Sequence, residues 1–362
     1  MSLEAQSFAS RTVTNAFPRD PRTQRRTFML KRILAAALAL ASATLPLAAQ
    51  EKPTLTVYAY ESFVGEYGPG QALKKAFETN CGCVVSYSAG EDAGALFAKL
   101  KLEGASTKAD VVLGLDDNLM GEAAASGLFA PHGVATEGLS LPKPWTDETF
   151  VPFDWGYFAF VYDADKLKAP PASLKALVED EKGPTLVIED PRTSTPGLGL
   201  LAWLKAIYGD KAGEAWTKLK PRIVTVTKGW SEAYGLFLKG EADMVLSYST
   251  SPAYHIGAEN KTNYRTAMFS EGHMTQVEVA GVVATSRQAE LARRFLAFLL
   301  TPEAQALLPE TNWMYPARTP AGGLPKSFST LDVPAKSLTS DPAILAANRR
   351  AWIDEWLAAM AK

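Results

Sequence analysis

The chain has 362 residues, 47% of them hydrophobic, and a formal net charge of −2 at pH 7. Seven basic and two acidic side chains fall in the first 49 residues, which leaves about −7 on the remainder. An acidic remainder offers no broad basic face to nucleic acid or anionic lipid. Three histidines and a single close pair of cysteines argue against a metal centre.

Residues 29–49, MLKRILAAALALASATLPLAA, have the order of a secretory signal. A basic start at Lys31 and Arg32 leads into an Ala/Leu run, then Pro46 and the small pair Ala48 and Ala49, after which cleavage is expected. The apolar run is shorter than the about 20 residues that a membrane span needs. Residues 1–28 are polar and aperiodic, so Met29 is read as the true start, with RRTFMLK (Arg25 to Lys31) leaving a twin-arginine route open. Either reading exports the chain.

From residue 52 the pattern is that of a folded α/β protein. TLTVYAYES (54–62) alternates like a strand, and GPGQALKKAFETN places Leu73, Ala76 and Phe77 on one helix face. CVVSYSA, DAGALFAKLKLEG and ADVVLGL then give strand, helix and short buried strand, an order that implies an open, mostly parallel sheet with helices on its faces. After a Pro-bearing irregular stretch, residues 157–163 form a strand and a second α/β unit follows: TLVIED, a helix from Gly197, RIVTVTKG, SEAYGLFLKGEA and ADMVLSYST. QVEVAGVVATS leads into helical chain in which Leu291, Phe295, Phe298 and Leu299 share a face, and the chain ends on a Pro-initiated helix carrying Leu345, Trp352 and Trp356. The two crossings between units, around 150–157 and 276–284, are expected to be hinge strands. The expected organisation is therefore lobe 1 at 52–153 plus 277–325, lobe 2 at 154–276 and a helical tail at 326–362. Ligands of open α/β sheets sit beyond the carboxyl ends of strands, so two facing sheets define a cleft between lobes.

The residues at those strand ends are chemically distinctive. Tyr60 follows the first strand, Asp92 opens the helix after the second, and Asp116 and Asp117 follow the third, where they are read as solvated turn residues. The second unit supplies the hydroxyl-rich cap in PRTSTPG, then Trp230, then Tyr248, Ser249, Thr250, Ser251 and Tyr254; Trp313 comes late, in TNWMYP. Rings stabilise a cationic heterocycle by about 0.5–2 kcal/mol each, a carboxylate accepts from an exocyclic amine, and a free helix N-terminus suits an anion. The bland alternatives are ordinary packing for Trp230 and Tyr248, and simple N-capping for Asp92 and for Thr193 to Thr195. Cys81 and Cys83, in NCGC, are either free thiols or a pair strained by a one-residue spacer, and His255 and His273 have no evident partner.

LTVYAYESF, KADVVLGLDDNL, TFVPFDWGYFAFVYD, EDPRTSTPGLGLL, TVTKGWSEAYGLFLKGE, LSYSTSPAYH, FSEGH and NWMYP together resemble the bacterial periplasmic thiamine-binding proteins, soluble components of thiamine ABC importers. The likeness spans nearly the whole chain after the signal, with departures mainly in connecting segments and the C-terminal tail. It implies a two-lobed, type II periplasmic binding fold that closes on thiamine, its monophosphate or its diphosphate, with no further cofactor. By position it implies pyrimidine recognition by Asp92 with Ala93, and the phosphate end at Ser194 and Thr195. Trp230 would be a ring on the ligand, Tyr248 to Ser251 would form a lining loop, and Tyr60, Tyr254 and Trp313 further walls. The implied partners are a permease and an ATPase in the inner membrane, with the receptor itself monomeric. Two rival readings are a thiaminase-type enzyme with a cleft cysteine, and a ferric-ion binder; the second favours an adjacent tyrosine pair, which the sequence lacks.

Overall fold

The computed structural model describes residues 51–361; the signal segment and its expected cleavage after Ala49 lie outside them. The first unit runs β1 (Thr54–Tyr60), α1 (Glu61–Val64), α2 (Gly70–Cys81), β2 (Val84–Gly90), α3 (Ala93–Glu103), β3 (Val111–Asp116), α4 (Asp117–Ala125) and β4 (Phe129–Ala130). The long strand β5 (Phe150–Asp163) enters the second unit, which holds α5 (Leu174–Glu179), β6 (Leu186–Glu189), α6 (Thr195–Tyr208), α7 (Ala212–Leu219), β7 (Ile223–Thr227), α8 (Trp230–Leu238), β8 (Met244–Tyr248), α9 (Pro252–Ala258) and β9 (Tyr264–Ala267). The chain returns through β10 (His273–Val283) to α10 (Ala289–Leu299), α11 (Pro302–Thr311) and β11 (Tyr315–Pro316), and finishes with β12 (Ser337–Leu338) and α12 (Pro342–Ala361).

The main strands follow the order β2-β1-β3-β10-β5-β8-β6-β7. Within the units the pairing is parallel, β1 with β2 and β3, and β6 with β7 and β8. The two crossing strands β10 and β5 are antiparallel to each other and to their outer neighbours β3 and β8, so the sheet is mixed where it passes from lobe to lobe. β5 does this in one continuous run. Its first half pairs with β10, and from Phe158 onward it pairs with β8 and β9. Both β5 and β10 are buried along almost their whole length, which explains why β5 reads as near-continuous apolar sequence rather than as an alternating strand; β10 buries His273, Thr275, Gln276 and Glu278 among its apolar residues.

The structure decides one question that the sequence left open and adds to the picture of one segment. Cys81 and Cys83 are joined by a disulfide, across the one-residue spacer that had counted against pairing; the left-handed Gly82 between them (φ 65°) lets the chain turn tightly enough. The C-terminal segment is also more than a tail. α12 packs on α4 of the first lobe and on α6 and α7 of the second. Arg349 Nη1 pairs with Glu122 at 3.0 Å while its Nη2 donates to the carbonyl of Arg192 across the cleft at 3.4 Å. Glu355 pairs with Lys205 and accepts from the Gly213 N–H at 2.8 Å. Trp356 is buried edge-on against Trp216, with centroids 6.4 Å apart. No helix among the described residues is long and apolar enough to cross a membrane.

Removing the Trp356 side chain leaves a cavity between α12 and α7. We expect Trp356→Ala to lower unfolding stability by about 3–5 kcal/mol, read by chemical denaturation; a loss below about 1 kcal/mol would show that α12 is not integral to the fold.

Candidate ligand-binding cleft

The lobes meet at a clasp centred on Asp92. This residue is the N-cap of α3, its Oδ1 accepting from the Ala93 N–H at 2.7 Å. The same carboxylate is reached from the opposite lobe. Ser194 Oγ donates at 2.7 Å, the Thr195 N–H at 3.4 Å and the Trp230 N–H at 3.4 Å. Those two N–H groups open α6 and α8, whose own cap residues Ser194 and Gly229 make no side-chain cap bond. One carboxylate thus serves three helix N-termini, each of which favours an anion. Beside it the Ala95 N–H donates to the Thr193 carbonyl at 3.1 Å. Gly94 permits that approach: a Cβ there would fall 2.7 Å from the Arg192 carbonyl oxygen and 2.8 Å from that of Thr193.

Next to the clasp lies a cavity of about 610 Å³ walled largely by rings. From lobe 2, Trp230 stacks on Tyr234 with centroids 5.0 Å apart, and its Nε1 donates to Ser247 Oγ at 2.7 Å, which fixes the indole plane. Tyr234 in turn shares a 2.9 Å hydrogen bond with His255, whose Nδ1 lies 2.8 Å from Glu259; this histidine therefore has partners on both sides. Tyr254 meets Trp313 edge-on at 5.5 Å across the cleft. Trp313 holds a left-handed backbone (φ 56°), a conformation that costs a tryptophan about 1–3 kcal/mol and is often kept for a site.

The floor is acidic. Glu278 on β10 lines the cavity and accepts from Tyr60 Oη at 2.8 Å. In register it sits between Asp116 on β3 and Asp154 on β5, so three carboxylates form one row across three adjacent strands. Asp154 accepts from Asn312 Nδ2 at 2.6 Å, and Asp116 from Asn118 Nδ2 at 2.7 Å. Burial pushes Asp154 up to about 7, and pushes Glu278 and Asp116 well above the carboxylate range. Asp117, whose Oδ1 accepts from the Val277 N–H at 3.1 Å, is likewise pushed by burial up to about 7. The reading of Asp116 and Asp117 as solvated turn residues is corrected: Asp116 is fully buried, Asp117 half-buried, because β10 covers the end of β3.

Of the residues singled out from sequence, Tyr60, Asp92, Trp230, Tyr248, Thr250, Ser251, Tyr254 and Trp313 come together around the cavity. Ala93, Ser194, Thr195 and Ser249 are buried and do not line it. Ser194 and Thr195, expected to face the ligand's phosphate end, here have the Ser194 hydroxyl and the Thr195 N–H turned to Asp92. Sequence reasoning missed Glu278, Asn312 and Tyr234. The signal for Glu278 was present, since a charged residue in the buried run QVEVAGVV needs a reason to be there. Neither cysteine is a free nucleophile, both being tied in the disulfide.

The sequence matches the family model described as bacterial extracellular solute-binding protein over residues 62–306. It is 56% identical over 311 residues to the thiamine-binding periplasmic protein of Escherichia coli (strain K12), covering 86% of this chain and 94% of that protein. The thiamine-binding periplasmic protein of Brucella suis biovar 1 is 52% identical over 315 residues, covering 87% and 94%. A solved structure, a periplasmic thiamin binding protein, superposes with a TM-score of 0.84 at 56% identity, covering 86% of this chain and 97% of that one. The chain belongs to the bacterial extracellular solute-binding protein family and, within it, to the family of these relatives. Members of this group are solute receptors rather than enzymes.

Two outcomes follow from this geometry. Gly94→Ala should hold the lobes apart at the clasp, lowering the melting temperature of the empty protein and weakening ligand binding by at least about tenfold, 1.4 kcal/mol; unchanged affinity in calorimetry would remove the clasp from the bound state. The buried acids also set a pH dependence. In the unfolded chain they ionise near pH 4, whereas in the fold Asp154 and Asp117 hold protons to about 7 and burial keeps Glu278 well above its ordinary range. Their contribution to stability is complete below about pH 4 and is lost as pH rises through 7. His255 and His273, held by burial below the usual histidine range, stay neutral there and do not oppose the trend. The empty protein should melt at a lower temperature at pH 8.5 than at pH 7; a flat profile would mean that these acids are solvated and ionised.

Proposed function

We propose that this chain is the periplasmic receptor of a thiamine import system, taking up thiamine or its phosphates between the lobes and delivering them to an inner-membrane permease and its ATPase. The observation that carries the reading is the cavity itself, a box of tryptophan and tyrosine rings over a floor of carboxylates. Thiamine joins an aminopyrimidine to a cationic thiazolium. The rings suit both heterocycles, and acids suit the cation and the amine. Similarity at 56% identity to proteins whose names state thiamine binding supports the same ligand. Trp230 is the ring offered to stack; Asp92, which the resemblance assigned to the pyrimidine, is bonded to Ser194 and Thr195 and so belongs with the α6 end of the site, leaving the pyrimidine to the rest of the cavity.

Export to the periplasm accords with the signal-like residues 29–49 and with the periplasmic relatives. The ligand's hydroxyethyl or phosphate end points, on this reading, to the α6 N-terminus. There a phosphate competes with Asp92 for the Ser194 and Thr195 donors.

Calorimetric titration of ligand-freed protein with thiamine, its monophosphate and its diphosphate tests the reading. One-to-one binding without turnover is expected, and Trp230→Ala should lose about 1–3 kcal/mol of it, the scale of a stacking ring. Absence of binding to all three forms would overturn the proposal, and wild-type affinity in the variant would return Trp230 to a packing role.

A further inference from the structure

Glu278 occupies a position that fold stability does not explain. It lies in a strand buried along its whole length and is 6% exposed, yet it lines the cavity. Its cross-strand neighbours on both sides are acids, Asp116 and Asp154, and like charges directly opposed on a sheet repel. The hydrogen-bond partners of this row are neutral: Tyr60 Oη for Glu278, Asn118 Nδ2 and the Leu119 N–H for Asp116, and Asn312 Nδ2 for Asp154. Asp154 Oδ1 is buried without a partner. Three adjacent carboxylates with only neutral donors do not all carry charge in an empty cavity, and protons stay on part of the row.

We propose that Glu278 is the counter-charge for the cationic ring of the ligand, and that it releases its proton to solvent as that ring enters. This inference rests on the thiamine reading and deepens it. The exchange balances: the carboxylic acid loses one proton, becomes a carboxylate, and the bound cation takes up the compensating positive charge. The surrounding groups all favour it. Tyr60 faces Glu278 from β1, Asp116 from β3, Asp154 from β5 and Asp92 from the start of α3, with Asp117 of α4 acting on Asp116. Tyr248 faces it from β8, with Glu189 beyond on β6. Lys143 is the cation near this set, and it acts on Asp117. Burial first, then the charge of Asp154, holds the Glu278 carboxyl well above its ordinary range. A neutral ligand brings no charge to offset the ionised row, so the cavity favours a cation.

The experiment is a titration of the protein with thiamine at pH 7 in phosphate and in Tris, buffers of very different ionisation enthalpy, repeated from pH 6 to 8. Release of a proton is expected to appear as a buffer-dependent enthalpy and as an affinity that rises with pH by up to about tenfold per unit. Glu278→Gln keeps the shape and an acceptor for Tyr60. It should bind thiamine at least tenfold more weakly, with neither buffer dependence nor pH slope, while the empty variant melts above wild type at pH 8. Thiamine binding to wild type with no proton release overturns this inference and leaves the receptor reading standing. No thiamine binding at all overturns both. Proton release that persists in Glu278→Gln moves the role off Glu278 and overturns the assignment. If Glu278→Gln does not fold, the wild-type buffer comparison still tests proton release, and Glu278→Asp, which keeps a carboxyl but withdraws it, should shift the pH dependence of that release; an unchanged profile moves the role off Glu278.

Discussion

The cleft depends on one buried carboxylate that ends three helices at once. Taking an ion such as Asp92 out of water costs several kcal/mol. Here that cost is offset by bonds from the Ser194 hydroxyl and from N–H groups at the starts of α3, α6 and α8. Hydrogen bonds to an ionised acceptor are roughly twice as strong as neutral ones, and each helix end adds its own favourable field. Two of those helices belong to the lobe opposite Asp92, so the same interaction closes the cleft and positions the wall. Trp230 is the clearest case, since its N–H is held by Asp92 while its ring lines the cavity. The exposed pair of Lys228 with Glu91, at 3.3 Å on the rim, contributes little by comparison.

A second constraint is that the strands joining the lobes also carry the charge of the site. β5 and β10 are the two longest strands among the described residues and pair antiparallel, and Asp154 and Glu278 face each other across the pair. Ligand chemistry and lobe geometry therefore share a few residues at the cavity floor. On another face α12 spans both lobes, with Arg349 bonded to Glu122 on one side and to the Arg192 carbonyl on the other. Arg192 lies just ahead of the Ser194 and Thr195 donors, so the strap and the clasp engage the same loop.

The stretch PRTSTPG shows how far a sequence can be read. Its hydroxyls, proline and glycine announce a helix start, and a helix start attracts an anion. Which anion is beyond local pattern. In this structure it is the carboxylate of Asp92, 102 residues earlier in the chain. Any negative group satisfies the same donors, so nothing in the loop itself distinguishes a ligand's phosphate from a side chain of the other lobe.

What the sequence determined by itself was therefore the local and periodic part: two α/β units, the two crossings at β5 and β10, and the rings and hydroxyls gathered at strand ends. Alternation, capping and turn chemistry act over a few residues and leave their mark in order along the chain. Tertiary structure decided everything that required distant residues to meet. It placed Asp116, Asp154 and Glu278 in one row, buried acids that looked solvated, and made the C-terminal helix a bridge between lobes. Burial and pairing are properties of the assembled sheet, and a carboxylate's charge, partner and purpose follow from what the fold brings against it rather than from its neighbours in sequence.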